Sequence, residues 1–175
     1  MPAILSAVVA VVPEAEPAVA PWRAELDRAT ALGVPAHVTV LYPFVPPDQL
    51  TTRVVDALRA VVARTPAFDV TFADTGWFGQ DVVWLSPTPA EPFRALTAAV
   101  WRAFPQHPPY GGIFPEVVPH LTIGERAPLP RLRAAEAAVR RDLPVVAPVR
   151  EVSLLAGSHE PDSWRVLETL PLRGA

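Results

Sequence analysis

Two short segments carry the residues best suited to chemistry, His37-Val38-Thr39-Val40 and His120-Leu121-Thr122-Ile123. In each, an imidazole and a hydroxyl stand two positions apart, with aliphatic side chains in the alternate places. Side chains on a strand alternate between faces, so positions i and i+2 share one. His37 and Thr39 then point one way while Val38 and Val40 anchor the strand, and His120 and Thr122 stand likewise against Leu121 and Ile123. At ~3.3 Å per residue, imidazole and hydroxyl sit about 6.6 Å apart along the strand, a spacing against which a tetrahedral phosphate fits. The ordinary histidine pKa near 6.5 lets one ring be neutral while its partner is protonated near neutral pH. Such a pair can take a proton from water on one side of phosphorus and hand one to a departing oxygen on the other. The threonine hydroxyls are suited to donate where negative charge builds.

A lone histidine on a strand is usually structural, and threonine is a good strand former. With eleven threonines in 175 residues, a given histidine meets Thr two places on with roughly 6% chance. Two such matches among four histidines arise by accident in only a few per cent of chains of this composition, by order of magnitude. His107 and His159 lack the pattern and read as surface or loop residues.

Composition narrows the chemistry further. There is no cysteine, which removes disulfides, thiolate catalysis and cysteine-ligated zinc. The net charge is −3 and every basic residue is arginine, so the basic field of a protein that grips long nucleic acid is missing. A phosphate-bearing partner is expected to be small, a cyclic nucleotide or an RNA 3′ end, rather than a long duplex. The carboxylates are scattered, without ligand spacing near either histidine, so neither a metal nor another cofactor is expected. The apolar N-terminus lacks a positively charged leader and is closed by Pro13, which reads as a buried strand rather than a secretion signal. No stretch approaches the ~20 apolar residues of a membrane span. The expectation is a cytoplasmic monomer without membrane contact.

The elements that must position the histidines follow from periodicity. Strands are expected at 3–12, 37–42, 68–75, 82–86, 120–124, 145–156 and 163–172, and helices at 17–32, 46–64, 91–104 and 129–141. Gly33 supplies the stop of the first helix. The Pro/Gly-rich stretch 105–119 reads as a long loop bordering a site. Strands and helices in comparable number give an α+β class. GVPAHVTVLYP (33–43) and VVPHLTIGERAP (117–128) form a weak internal repeat: each sets proline just before the histidine and is followed by a helix. Two such units suggest a pseudo-symmetric, two-lobed arrangement.

These paired motifs, their separation, the chain length and the order of elements resemble the 2H phosphoesterase superfamily. It includes bacterial 2′-5′ RNA ligase-like proteins and RNA 2′,3′-cyclic phosphodiesterases. The resemblance spans essentially the whole chain and implies one bilobal α+β domain over 1–175, each lobe an antiparallel-rich sheet with packed helices, with both motif strands facing a central cleft. It implies His37 and His120 as the catalytic pair and Thr39 and Thr122 as donors to the phosphate oxygens. The activity implied is metal-independent hydrolysis of 2′,3′-cyclic phosphodiesters on RNA ends or small nucleotides. The alternatives are 2′-5′ RNA ligation, another cyclic phosphodiester as substrate, a weakly active nucleotide- or RNA-binding module in the same cleft, and accidental motifs in a structural domain.

Several further residues are placed by parity alone. Arg126 and Gly124 keep the parity of His120 and Thr122, so Arg126 is expected to reach the cleft if the strand runs that far. Tyr42 follows Val38 and Val40 toward the core. The segment WFGQDVVWLSP, with Trp77, Phe78 and Trp84, resembles an aromatic strand pair of the same superfamily, but Gln80 and Asp81 stand where many relatives carry basic residues. Trp22 and Trp101 read as core, and Tyr110 and Phe114 as loop residues able to cover a base.

Overall fold

The computed structural model describes residues 2–175. The chain runs β1 (Leu5–Val11), α1 (Glu16–Leu26), α2 (Arg28–Ala31), β2 (His37–Leu41), α3 (Thr52–Val62), β3 (Phe68–Phe78) and β4 (Val82–Thr88). It continues through α4 (Glu91–Ala103), β5 (Leu121–Glu125), α5 (Leu129–Val139), β6 (Val145–Val149), β7 (Glu151–Gly157) and β8 (Arg165–Pro171). Two four-stranded antiparallel sheets result, ordered β2-β1-β7-β8 and β5-β4-β3-β6, in an α+β architecture. β1 is buried along its middle, as its unbroken apolar run requires. Among the described residues no helix is long and apolar enough to cross a membrane.

Three elements differ from the sequence reading. The helix expected over 17–32 breaks at Asp27, whose backbone is extended and whose carboxylate caps α2 by accepting from the Ala29 N–H at 2.9 Å. The helix expected from Pro46 begins at Thr52, because Pro47–Gln49 form a 3₁₀ turn and the Thr51 hydroxyl caps α3. The stretch 145–156 divides at Arg150, with β6 pairing β3 in one sheet and β7 pairing β1 in the other. The Arg150 guanidinium pins this crossing by donating to the Phe68 carbonyl at 2.9 Å and to Asp69 at 2.7 Å.

The two motif strands occupy equivalent places. β2 is an outer strand of the first sheet and β5 of the second, and the two lie in contact without pairing. Each carries one extra residue just after its threonine. Val9 pairs with Thr39 and Val8 with Leu41, which leaves Val40 unmatched. Trp84 pairs with Thr122 and Val83 with Gly124, which leaves Ile123 unmatched. At a bulge two successive side chains fall on one side and alternation resumes out of phase. Val40 and Leu41 are accordingly both buried, as are Ile123 and Gly124.

Each bulge is held by a helix from the other half of the chain. Thr97 of α4 donates its hydroxyl to the Val40 carbonyl at 2.6 Å, giving this buried acceptor a partner. At Gly124 a Cβ would meet Leu26 of α1 at 2.8 Å and Leu132 of α5 at 3.1 Å, so the missing side chain is what lets both helices close on β5. Thr97→Val keeps the shape but removes the donor, and is expected to cost about 1–3 kcal/mol. A denaturant titration should show that loss, with Thr97→Ser close to the native value. Equal stability of the valine variant and the native protein would contradict this role.

Candidate active site

α1 holds the segment that leads into the first histidine. The Glu16 carboxylate accepts from the Ala36 N–H at 2.7 Å, and the buried Arg23 guanidinium donates to the Val34 carbonyl at 3.2 Å. Arg23 also donates to Asp27 at 2.8 Å, and this ion pair is buried on both sides. Residues 34–36 are thereby fixed from below, and His37 starts β2 in one orientation.

The two imidazoles are tethered in the same manner. His37 Nδ1 lies 2.7 Å from the Pro35 carbonyl and His120 Nδ1 lies 2.7 Å from the Val118 carbonyl. A carbonyl can only accept, so each Nδ1 carries its proton and each Nε2 is left free for chemistry. Burial lowers the His37 pKa to about 4, with the Arg23 guanidinium and a charged His120 adding repulsion, against the Pro35 carbonyl and Asp27. Burial also lowers the His120 pKa, against the Val118 carbonyl and Asp27. That the charge of one ring acts on the other follows from β2 and β5 being neighbours.

Two cavities adjoin the pair. One, of about 260 Å³, is lined by His37, Thr39, Tyr42, Arg28 and Trp164, with apolar side chains of β1 and Leu155 behind. The other, of about 330 Å³, is lined by His120, Thr122, Phe78, Tyr110 and Phe114. Glu125 lines both. Each His-Thr pair thus shares a cavity wall, as alternation requires. Phe78 meets the His120 ring edge-to-face at 4.9 Å, and Trp84 stands behind them, 5.0 Å from Phe78 and 6.0 Å from His120. Trp84 packs across Gly76, where a Cβ would come within 2.3 Å of its ring.

The loop at 105–119 crosses between the two cavities. Tyr110 is left-handed at φ 52°, a strained conformation for a non-glycine residue, and its N–H donates to the Tyr42 carbonyl at 2.6 Å. Burial pushes its phenol up, and a hydrogen bond with Thr39 opposes that shift. Tyr110 therefore ties the His120 wall to the His37 wall. Phe114 packs edge-on against it at 5.6 Å.

Parity misplaced three residues, for one reason. The bulge after Thr39 returns Tyr42 to the cleft face, where it meets Trp164 at 6.3 Å, rather than to the core. The bulge after Thr122 turns Gly124 toward α1 and brings Glu125, not Arg126, into the cleft. Arg126 is exposed at φ 50°, its N–H bound to the Asp81 carbonyl at 2.8 Å. His159 is exposed as expected but stands on the rim of the His37 cavity, while His107 packs against Phe44 at 6.2 Å. Trp22 packs on the core beneath Arg131, whereas Trp101 is 45% exposed rather than buried. Trp77 is turned from the cleft, its indole N–H donating to Glu136 at 3.1 Å. Local sequence patterns do not point to Arg28 and Trp164, because contacts between distant segments bring them to the cleft, nor to Glu125, because the bulge does. Among the described residues no group of three or more His, Asp or Glu side chains is arranged to hold a metal ion.

Comparison with known proteins agrees with this fold. No curated protein matches the chain. A Thermus thermophilus protein shares the fold at a TM-score of 0.69 and 20% identity, over 98% of this chain and 99% of the other. Escherichia coli LigT in its apo form gives 0.64 at 20% identity, over 99% of each chain, and LigT has also been crystallised with 3′-AMP. A protein described as a phosphoesterase gives 0.62 at 21% identity, over 98% and 99%. The model of the 2′-5′ RNA ligase superfamily matches residues 11–160, a span that takes in both His-x-Thr strands and both bulges, and the chain belongs to that family of 2H phosphoesterases.

Proposed function

We propose that residues 1–175 act as one bilobal domain that hydrolyses a 2′,3′-cyclic phosphodiester on a small nucleotide or RNA end, without a metal. The observation that carries this reading is the matched pair of Nδ1-tethered histidines, which leaves two free Nε2 atoms on neighbouring strands. LigT, with the same fold, accommodates 3′-AMP, which supports a nucleotide-sized substrate. The apolar walls beside each His-Thr pair give a base and ribose somewhere to pack.

Electrostatics divide the roles. Asp27 favours the charged form of both rings, but Arg23 opposes the protonation of His37 and no such guanidinium acts on His120. His37 is the base: its neutral Nε2 takes a proton from water as oxygen attacks phosphorus. His120 is the acid: its Nε2–H gives a proton to the ribose oxygen that leaves, and the bound phosphate anion favours that imidazolium. Thr39 and Thr122 donate to the non-bridging oxygens.

Replacing either His37 or His120 by alanine should reduce turnover of 2′,3′-cyclic AMP at least about a hundredfold, and excess EDTA should leave native turnover intact. Activity lost in EDTA, or retained in both alanine variants, would contradict the proposal. The base must be deprotonated and the acid protonated, so kcat/KM should rise through about pH 4 and fall above the lowered pKa of His120. The maximum is therefore expected on the acidic side of the ordinary histidine pKa, near 6.5. A rate still climbing at pH 8 would show the assignment to be wrong.

A further inference from the structure

Among the described residues Glu125 is the one side chain shared by both cavities, standing on β5 on the face that Thr122 and the bulge define. A carboxylate beside a phosphate pocket opposes anion binding, and it stands at the cleft position that strict alternation along the strand gives to Arg126. Burial and Asp27 push its carboxyl above the usual carboxylate range, against Arg126 and Arg28, which favour the ionised form. Both arginines are exposed, Arg28 on the rim of the His37 cavity, so among the described residues no buried cation lines either cavity to cancel Glu125.

We propose that Glu125 is a specificity-determining residue that admits a singly charged phosphodiester and rejects a doubly charged phosphomonoester, including the product of the reaction. This rests on the hydrolytic reading above. A cyclic diester carries one negative charge; adding water across one P–O bond opens the ring, frees a ribose hydroxyl and leaves a monoester that ionises a second time. The second charge appears only after the bond is broken, so repulsion from Glu125 falls mainly on the product. In a partly buried cleft the added repulsion between two like charges is worth about a factor of ten in affinity. The cleft thereby empties readily after each turnover and takes up free phosphate only weakly, at high concentration.

The test compares the native protein with Glu125→Gln and Glu125→Ala at pH 8. Inhibition by adenosine 2′-phosphate and by adenosine 3′-phosphate, the two monoesters that ring opening can give, is measured against hydrolysis of 2′,3′-cyclic AMP. In both variants the ratio of each monoester's Ki to the diester's KM should fall about tenfold from removal of one charge. An unchanged ratio overturns the proposal. Calorimetric titration with inorganic phosphate needs no turnover: at pH 8 it carries two charges, so both variants should bind it up to about a hundredfold more tightly than the native protein, about tenfold for each charge. Equal binding, or none in any of the three, overturns the proposal. Tighter phosphate binding by the variants with no cyclic-nucleotide turnover in the native protein would support selection by charge while removing the hydrolytic reading.

Discussion

One extra residue after each motif threonine, Val40 on β2 and Ile123 on β5, sets which side chains face the cleft. Without these bulges, strict alternation would send Tyr42 and Glu125 away from His37 and His120. With them, the two strands present matching sets: His37, Thr39 and Tyr42 on one, His120, Thr122 and Glu125 on the other. A bulge leaves a residue without its ladder partner, and the fold resolves this with helices exchanged between halves. Thr97 of α4 satisfies Val40, while Leu26 of α1 packs where Gly124 has no side chain. The symmetry of the site thus depends on the same helix–strand contacts that join the two sheets.

A second constraint is electrostatic. The Arg23–Asp27 pair is buried beneath the cleft, where losing one partner would leave an uncompensated charge at a cost of about 3–5 kcal/mol. It cannot be a surface ornament, since Arg23 also holds the Val34 carbonyl ahead of His37. Asp27 takes this position because the helix breaks there and its carboxylate is needed as a cap. One buried pair therefore fixes the approach to β2, ends α1 and biases the protonation of both imidazoles.

The local signals were legible in the sequence and the long-range ones were not. The two His-x-Thr strands, the α+β class and most elements follow from period-2 and period-3.6 patterns. The likeness of 33–43 to 117–128 anticipates two equivalent outer strands. A bulge leaves no mark in such a pattern, because Val40-Leu41 and Ile123-Gly124 read as ordinary apolar strand residues. Hence Arg126 was expected where Glu125 stands. Trp164 and Arg28 reach the His37 cavity through contacts between segments far apart in the chain. Tyr110 lies in a loop whose course depends on its backbone bond to Tyr42. The switch from β6 to β7 at Arg150 was invisible for a similar reason, since an apolar run does not say which sheet it joins.

The central claim is that two imidazoles on neighbouring strands grip one phosphorus centre from opposite sides. A crystal structure with inorganic phosphate bound tests it most directly. The account predicts a single anion between the strands, each Nε2 of His37 and His120 and each hydroxyl of Thr39 and Thr122 within hydrogen-bonding distance. An anion held by one histidine alone, with the other ring turned toward the protein, would contradict it.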